Sequence, residues 1–291
     1  MMEEIGNRYS QSITREHRTA FVLLLDRSGS MRERVLFDGR EVTKACAVAE
    51  TANRFLFELT ERARRSDGVR DYYDVAVLSY SGDCVESLLS ESVEFIPITE
   101  LARRRMEQSV WSREHRLPDG RHTIVTTSTA RHILPHAEGR TPMFEAMDEA
   151  WRLLRRWCDN PRNGSSFPPV VLNITDGEFS DCGEDELVDI SRNIRSLSTD
   201  DGHVLLLNIH IASGSDSPMI FPTESEILSA GRNAEIMARC SSRMPSSFEP
   251  LIRQYRGRSV RPPFIGMSYN APITEVLNII NIGSISVNNF G

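Results

Sequence analysis

The sequence predicts an open α/β protein, a mainly parallel sheet covered by helices on both faces. Two observations carry this expectation. Apolar runs of strand length recur along the chain with helix-spaced amphipathic segments between them, the alternation that parallel crossovers require. The runs beginning at Phe21, Val170 and His203 are apolar almost throughout instead of alternating, as strands buried on both faces are. A third observation concerns function. The runs from Phe21 and Val170 both stop abruptly at an aspartate, where open sheets place their ligand sites.

In chain order, residues 1–18 form a polar segment without the apolar core of a signal peptide, expected to be flexible. Residues 19–291 are expected to be a single domain with an insertion at about 91–140, and 291 residues suffice for a sizeable core. Phe21–Leu25 is the first strand, ending in Asp26-Arg27-Ser28-Gly29-Ser30. Val42, Ala45, Ala49, Ala52, Leu56 and Leu59 recur at helical spacing, predicting a helix from about Arg40 to Arg65. Asp74–Ser81 reads as a strand, and Gly82-Asp83 turns it into an antiparallel partner over Cys84–Leu89 at one margin of the sheet.

Ile98–Gln108 is predicted helical. Val110–Leu117 and Arg121–Thr127, flanking Pro118-Asp119-Gly120, predict a small ribbon. His132 and His136 share HxxxH spacing, but Pro135 intervenes and no third ligand lies nearby in sequence, so they read as surface histidines. Thr141-Pro142 opens a helix whose buried stripe is Phe144, Met147, Trp151 and Leu154, with Thr141 as its expected N-cap. After the Val170–Thr175 strand and Asp176-Gly177-Glu178 come a helix from about Asp185 to Ser198 and a strand over His203–Ala212. A helix over Glu224–Cys240, a strand over Pro263–Tyr269 and a closing helix over about Pro272–Ile282 complete the pattern.

A net charge of −7 argues against nucleic-acid binding through bulk electrostatics. Arginine supplies nearly all the positive charge, Lys44 being the sole lysine. The arginine clusters fall in helical patterns and read as solvated faces. Five scattered cysteines form no CxxC pair, so neither a zinc knuckle nor a redox dithiol is supported, and they read as reduced thiols. No apolar run approaches the ~20 residues of a membrane span. The expectation is a cytoplasmic protein that engages neither nucleic acid nor membrane.

Asp26, Ser28 and Ser30, then Thr141, then Asp176 supply two carboxylates and three hydroxyls after separate apolar stretches. Each is ordinary alone: a polar turn, a helix cap, an Asp-Gly turn. Together they suit a hard divalent ion and suit zinc or copper poorly.

Their order and type resemble the von Willebrand factor A (vWA) domain and its metal-ion-dependent adhesion site (MIDAS), whose pattern is Asp-x-Ser-x-Ser, a distant Thr and a distant Asp. The resemblance spans about Thr19–Gly283, and in finer wording (Gly139-Arg140-Thr141-Pro142-Met143, Phe167-Pro168-Pro169-Val170) is similar to bacterial, stand-alone cytoplasmic members. Those include relatives found beside tellurite-resistance, kinase, phosphatase and AAA+ ATPase genes. It implies a Rossmann-like sheet of about six strands with one antiparallel edge and a metal at its top. Mg2+ is the implied cofactor, with Mn2+ or Ca2+ as substitutes. Ser28 and Ser30 would bind it directly, Thr141 would join in the ligand-engaged state, and Asp26 and Asp176 would act directly or through water. The remaining position would take a Glu or Asp from a partner protein, within a bacterial stress-response or defence assembly.

The rival expectation is a Mg2+-dependent phosphatase or phosphotransfer enzyme using Asp26 as nucleophile. Such sites resemble Asp-x-Asp with a lysine steadying the phosphate. Here Ser28 stands at the second position, Lys44 falls in a helix instead of at a strand end, and no GxxxxGK[ST] occurs. Neither His203 nor His210 has a motif placing it as a base for a serine. The sequence favours a non-enzymatic interaction module. A further expectation is that the insertion at 91–140 helps select the partner. Relatives of the fold can couple metal engagement to the closing helix, but its Ile/Val/Leu stripe is equally explained by packing, and packing is the favoured reading.

Overall fold

Thr19–Asp26 forms β1, fully buried along its length and placed in the middle of the sheet. Its alternate residues feed two cores. Phe21, Leu23 and Leu25 face one side, where Phe55, Leu56 and Leu59 of α1 (Lys44–Ala63) cover them. Val22 and Leu24 face the other, against α3 (Met143–Cys158), α4 (Glu184–Ser196) and α6 (Arg232–Cys240). A strand covered on both faces has no solvent for a charged side chain along its length, and its one carboxylate, Asp26, stands at its carboxyl end. The computed structural model describes residues 9–37, 39–116, 122–211, 219–228, 230–257 and 259–269.

Other elements, in chain order and leaving aside 3-10 turns and two isolated two-residue ladders, are β2 (Arg34–Phe37), β3 (Arg40–Thr43), β4 (Tyr73–Ser81), β5 (Cys84–Ser87), β6 (Ile96–Pro97), α2 (Ile98–Arg103), β7 (Gln108–Arg116) and β8 (His122–Ala130). Beyond α3 follow β9 (Val170–Thr175), β10 (Leu205–His210), β11 (Met219–Ile220), α5 (Glu224–Ile227), α7 (Glu249–Arg256) and β12 (Met267–Tyr269). The eight-stranded sheet runs β11-β12-β10-β9-β1-β4-β5, with β6 also on β4. Pairing is parallel from β12 through β4. It is antiparallel at both margins, where β5 and β6 meet β4 and β11 meets β12. The expected mostly parallel α/β sheet is therefore present. Six strands have three or more residues, and two-residue strands add to each margin.

Several boundaries differ from the sequence reading. The residues before Lys44 are not helical but form the antiparallel hairpin β2–β3, and α1 starts after Thr43, whose hydroxyl accepts from the Cys46 N–H. The helix expected over Ile98–Gln108 stops at Arg103, and Gln108 already pairs with Ala130 in the ribbon β7–β8. The helix expected over Glu224–Cys240 is two, α5 and α6, separated at Gly231 with φ +89°.

Of the N-terminal segment expected to be flexible, residues 9–18 are described. The Tyr9 ring packs 5.9 Å from Phe248 and its hydroxyl donates to the His203 carbonyl, while Ile13 is buried. The closing helix expected over Pro272–Ile282, the Pro118-Asp119-Gly120 turn and residues 1–8 lie outside the described residues. Among the described residues no helix is long and apolar enough to cross a membrane, and all five cysteines are free.

Asn173 and Asn208 interrupt the two apolar runs at matching points, because β9 and β10 pair them directly. Asn173 accepts from the Tyr80 hydroxyl at 2.9 Å and donates to Asn208, which in turn donates to Ser241. A satisfied polar row therefore crosses an otherwise apolar face, without the cost an unpaired buried amide would carry.

Candidate metal centre

Three loops meet at the carboxyl ends of β1 and β9. The first leaves β1 at Asp26, which is fully buried. Its Oδ1 accepts from the Ser28 N–H at 2.9 Å and its Oδ2 from the Thr175 hydroxyl at 2.8 Å. Burial, opposed by the Ser28 contacts and assisted by nearby Asp176, raises the Asp26 carboxyl to about 6. Ser28 precedes the 3-10 turn Gly29–Arg32, yet its hydroxyl caps nothing there and lies 3.1 Å from that of Ser30. Two hydroxyls from one turn thus stand side by side.

The second loop carries Thr141. Gly29 N–H donates to the Gly139 carbonyl at 2.9 Å and Glu138 N–H to the Arg27 carbonyl at 2.8 Å, tying it to the first loop. Asn53 of α1 grips it further back, donating to the Ile133 carbonyl and accepting from its N–H, both at 2.9 Å. On its far side Gly82 N–H donates to the Arg140 carbonyl. Gly139 sits at φ +74°, and a Cβ there would stand 2.6 Å from the Gly82 Cα, so only glycine fits between the two turns.

Thr141 is not the N-cap of α3. The helix begins at Met143, and its Glu145 N–H is capped from the third loop by Asp181 at 3.0 Å. The Thr141 side chain is buried, and its backbone exchanges two bonds with Ser180 of the third loop.

The third loop supplies Asp176, whose side chain is 4% exposed. Its Oδ2 accepts from Lys44 Nζ at 3.3 Å, and its Oδ1 is buried without a hydrogen-bond partner among the described residues. Lys44 is the residue that sequence reasoning missed. Its Nζ is 2.6 Å from Glu33 Oε2, and its side chain is 5% exposed. It occupies the first position of α1, close behind the β2–β3 hairpin that returns the chain to the loop after β1. That it is the sole lysine in an arginine-rich chain was the available signal.

All five expected residues thus belong to three loops that are hydrogen-bonded to one another at one edge of the sheet. The donor chemistry fits a hard cation. Of two buried carboxylates only Asp176 pairs with the Lys44 ammonium, one of its oxygens has no partner among the described residues, and paired hydroxyls belong to the neighbouring loop. Asp26, Ser28, Ser30, Thr141 and Asp176 would hold such an ion. Among the described residues no group of three His, Cys, Asp or Glu side chains is placed to bind a metal, so any centre here draws on hydroxyls as well. Of the two histidines expected at the surface, His136 is exposed, whereas His132 is half-buried, and burial with nearby Arg104 lowers it to about 4.

Fold and site together define an open α/β protein with an oxygen-donor cluster at the carboxyl edge of its central strands. No protein-family profile and no curated protein matches the chain in sequence. Among solved structures it is similar to the SpRpn10 VWA domain, with a TM-score of 0.41 and 12% identity over 68% of this chain and 77% of that one. It is also similar to a von Willebrand factor type A protein from Catenulispora acidiphila, with a TM-score of 0.44 and 15% identity over 84% of this chain and 43% of that one. A third is the vWF domain of the type V pili tip protein Mfa5 from Porphyromonas gingivalis, with a TM-score of 0.34 and 10% identity over 56% of this chain and 39% of that one. The chain spans less than half the length of the latter two.

Proposed function

We propose that this chain is a non-enzymatic, Mg2+-dependent protein-binding module of the vWA type, which captures a partner's Glu or Asp through a metal held by Asp26, Ser28, Ser30, Thr141 and Asp176. The observation that carries the reading is the buried, unpartnered Oδ1 of Asp176 beside the desolvated Asp26 carboxyl. Lys44 pairs with one oxygen of Asp176, and the other oxygen together with Asp26 leaves buried carboxylate that a further cation would compensate. Bound there, Mg2+ would supply Lewis acidity toward an outside carboxylate, because two formal charges and three neutral hydroxyls leave it incompletely neutralised. The module would act in the bacterial cytoplasm, in a stress-response or defence assembly with kinase, phosphatase or AAA+ ATPase components. Mn2+ or Ca2+ could replace Mg2+.

The position of Lys44 favours one further reading, a phosphatase or phosphotransferase with Asp26 as nucleophile. A lysine beside paired carboxylates is what that chemistry uses. Weighing against it, Asp26 is fully buried and both its oxygens accept hydrogen bonds, so attack on a phosphorus would require those bonds to be given up, whereas a metal could be held through an intervening water.

Thermal unfolding in EDTA and in Mg2+ separates the cases. At a metal concentration of about a hundred times the Kd, a site-bound ion adds about 2.7 kcal/mol, a rise in Tm of roughly 5 °C for a domain of this size. Asp26→Ala/Asp176→Ala should abolish the rise. A missing rise, or an equal one in the variant, would remove the metal reading. Capture of a protein from native lysate that EDTA reverses would support the binder, and turnover of phosphate esters by the pure chain would support the enzyme.

A further inference from the structure

We infer that Arg27 and Arg32 form a second, anion-reading half of this surface, so that the partner is an acidic segment presenting at least two carboxylates around an apolar side chain. The inference rests on the metal reading above. Arg27 lies between the ligand positions Asp26 and Ser28 and is half-buried, yet among the described residues its Nε is buried without a hydrogen-bond partner and its guanidinium makes one bond, a long 3.4 Å contact to the Leu134 carbonyl. Arg32 ends the next turn, is exposed, and donates only its Nε, to the Ala137 carbonyl at 2.9 Å.

Among the described residues neither guanidinium has an ion pair, although acids are near. Glu33 is taken by Lys44, Asp83 by Arg140, and Glu86 acts on Arg27 only at a distance. Glu138 and His136 share the loop on which both arginines rest, and lie 3.9 Å apart. Both arginines reach the strip 134–137, where Leu134 is 57% exposed. The strip continues into the Thr141 loop.

The electrostatic consequence is specific. Two uncompensated cations beside the site repel a dication, so they weaken binding of metal alone. They attract a second carboxylate, in the fork geometry a guanidinium favours, so they strengthen binding of an acidic partner once metal is present. Leu134 offers an apolar contact between the charges. In a chain of net charge −7 that repels acidic partners at long range, such local cations decide which acidic sequence stays bound.

The test uses the full chain and three capped, fluorescent peptides containing Glu-Leu-Glu, Gln-Leu-Glu or Glu-Leu-Gln, with anisotropy read in Mg2+. The peptide with both carboxylates should bind at least about tenfold tighter than either single one. In Arg27→Gln/Arg32→Gln that ratio should fall below about twofold, while the affinity for Mg2+ alone, measured by calorimetry, rises. A change of opposite sign in the two affinities is not what a folding defect produces. Arg32→Gln alone, at an exposed position, should move both in the same directions by a smaller factor. Equal binding of the three peptides by a chain that binds Mg2+, or an unchanged ratio in the double variant, would overturn the inference alone. A chain that binds no Mg2+ would overturn the metal reading with it.

Discussion

Asp26 gives up a well-solvated charge to stand at the end of a doubly covered strand, and burial raises its carboxyl to about 6. The folded protein therefore holds this proton more tightly than the unfolded chain, whose value is near 3.8. The group's stabilising effect is complete below that value and is lost as pH rises through about 6. In EDTA, the stability difference between Asp26→Asn and the native chain should shift by about 2 kcal/mol in favour of the variant between pH 4 and pH 7. Denaturant titrations at the two pH values check it. A divalent ion has to displace the same proton, so the Mg2+-dependent rise in Tm should shrink at pH 5. Lys44 makes the complementary case. Lys44→Met strips the ammonium from Asp176 and should destabilise the metal-free chain by about 3 kcal/mol, the usual cost of breaking a buried pair. Because the ammonium also competes with the ion, the same variant should bind Mg2+ more tightly in calorimetry.

The loops that bear these groups are held from several elements, and each hold can be released separately. Asn53 satisfies both the N–H and the carbonyl of Ile133 from the flank of α1. Asn53→Ala leaves both unpaired and should cost about 2–4 kcal/mol, with faster amide exchange confined first to residues 131–139. The ribbon β7–β8 is a contrasting element. Its nine residue pairs belong to a two-stranded sheet separate from the central one, and its ends at Gln108 and Ala130 are paired neighbours. Replacing 109–129 by a short Gly-Asn turn should therefore leave the fold and the Mg2+ response intact. If the ribbon selects the partner, as the insertion suggested, affinity for the captured protein should fall; unchanged affinity would exclude that role. The ribbon was legible from its turn residues, but the limits of α2 were not. The apolar spacing over Ile98–Gln108 permits a helix, and the pairing of Gln108 with Ala130 overrides it.

At the scale of the whole molecule, one sheet is shared by two apolar cores, so neither core can melt without uncovering a face of β1. Leu24→Ala, at a position with no exposed surface, should cost about 3 kcal/mol and lower a single cooperative transition without splitting it. Far-UV circular dichroism and tryptophan fluorescence should then give coincident curves.

The sequence by itself determined the fold class and the donor types. Largely apolar runs of this length mark strands buried on both faces, and such a strand carries its charged groups only at its end, which makes Asp26 and Asp176 visible in one dimension. What only the tertiary structure decided is which groups share that end. Thr141 was legible as a helix cap until Asp181 was found capping α3 instead, and Lys44 was legible as a helix residue until the β2–β3 hairpin turned the start of α1 toward Asp176. Caps and ion pairs are settled by distances across loops, and local spacing carries no information about a neighbour more than a hundred residues away.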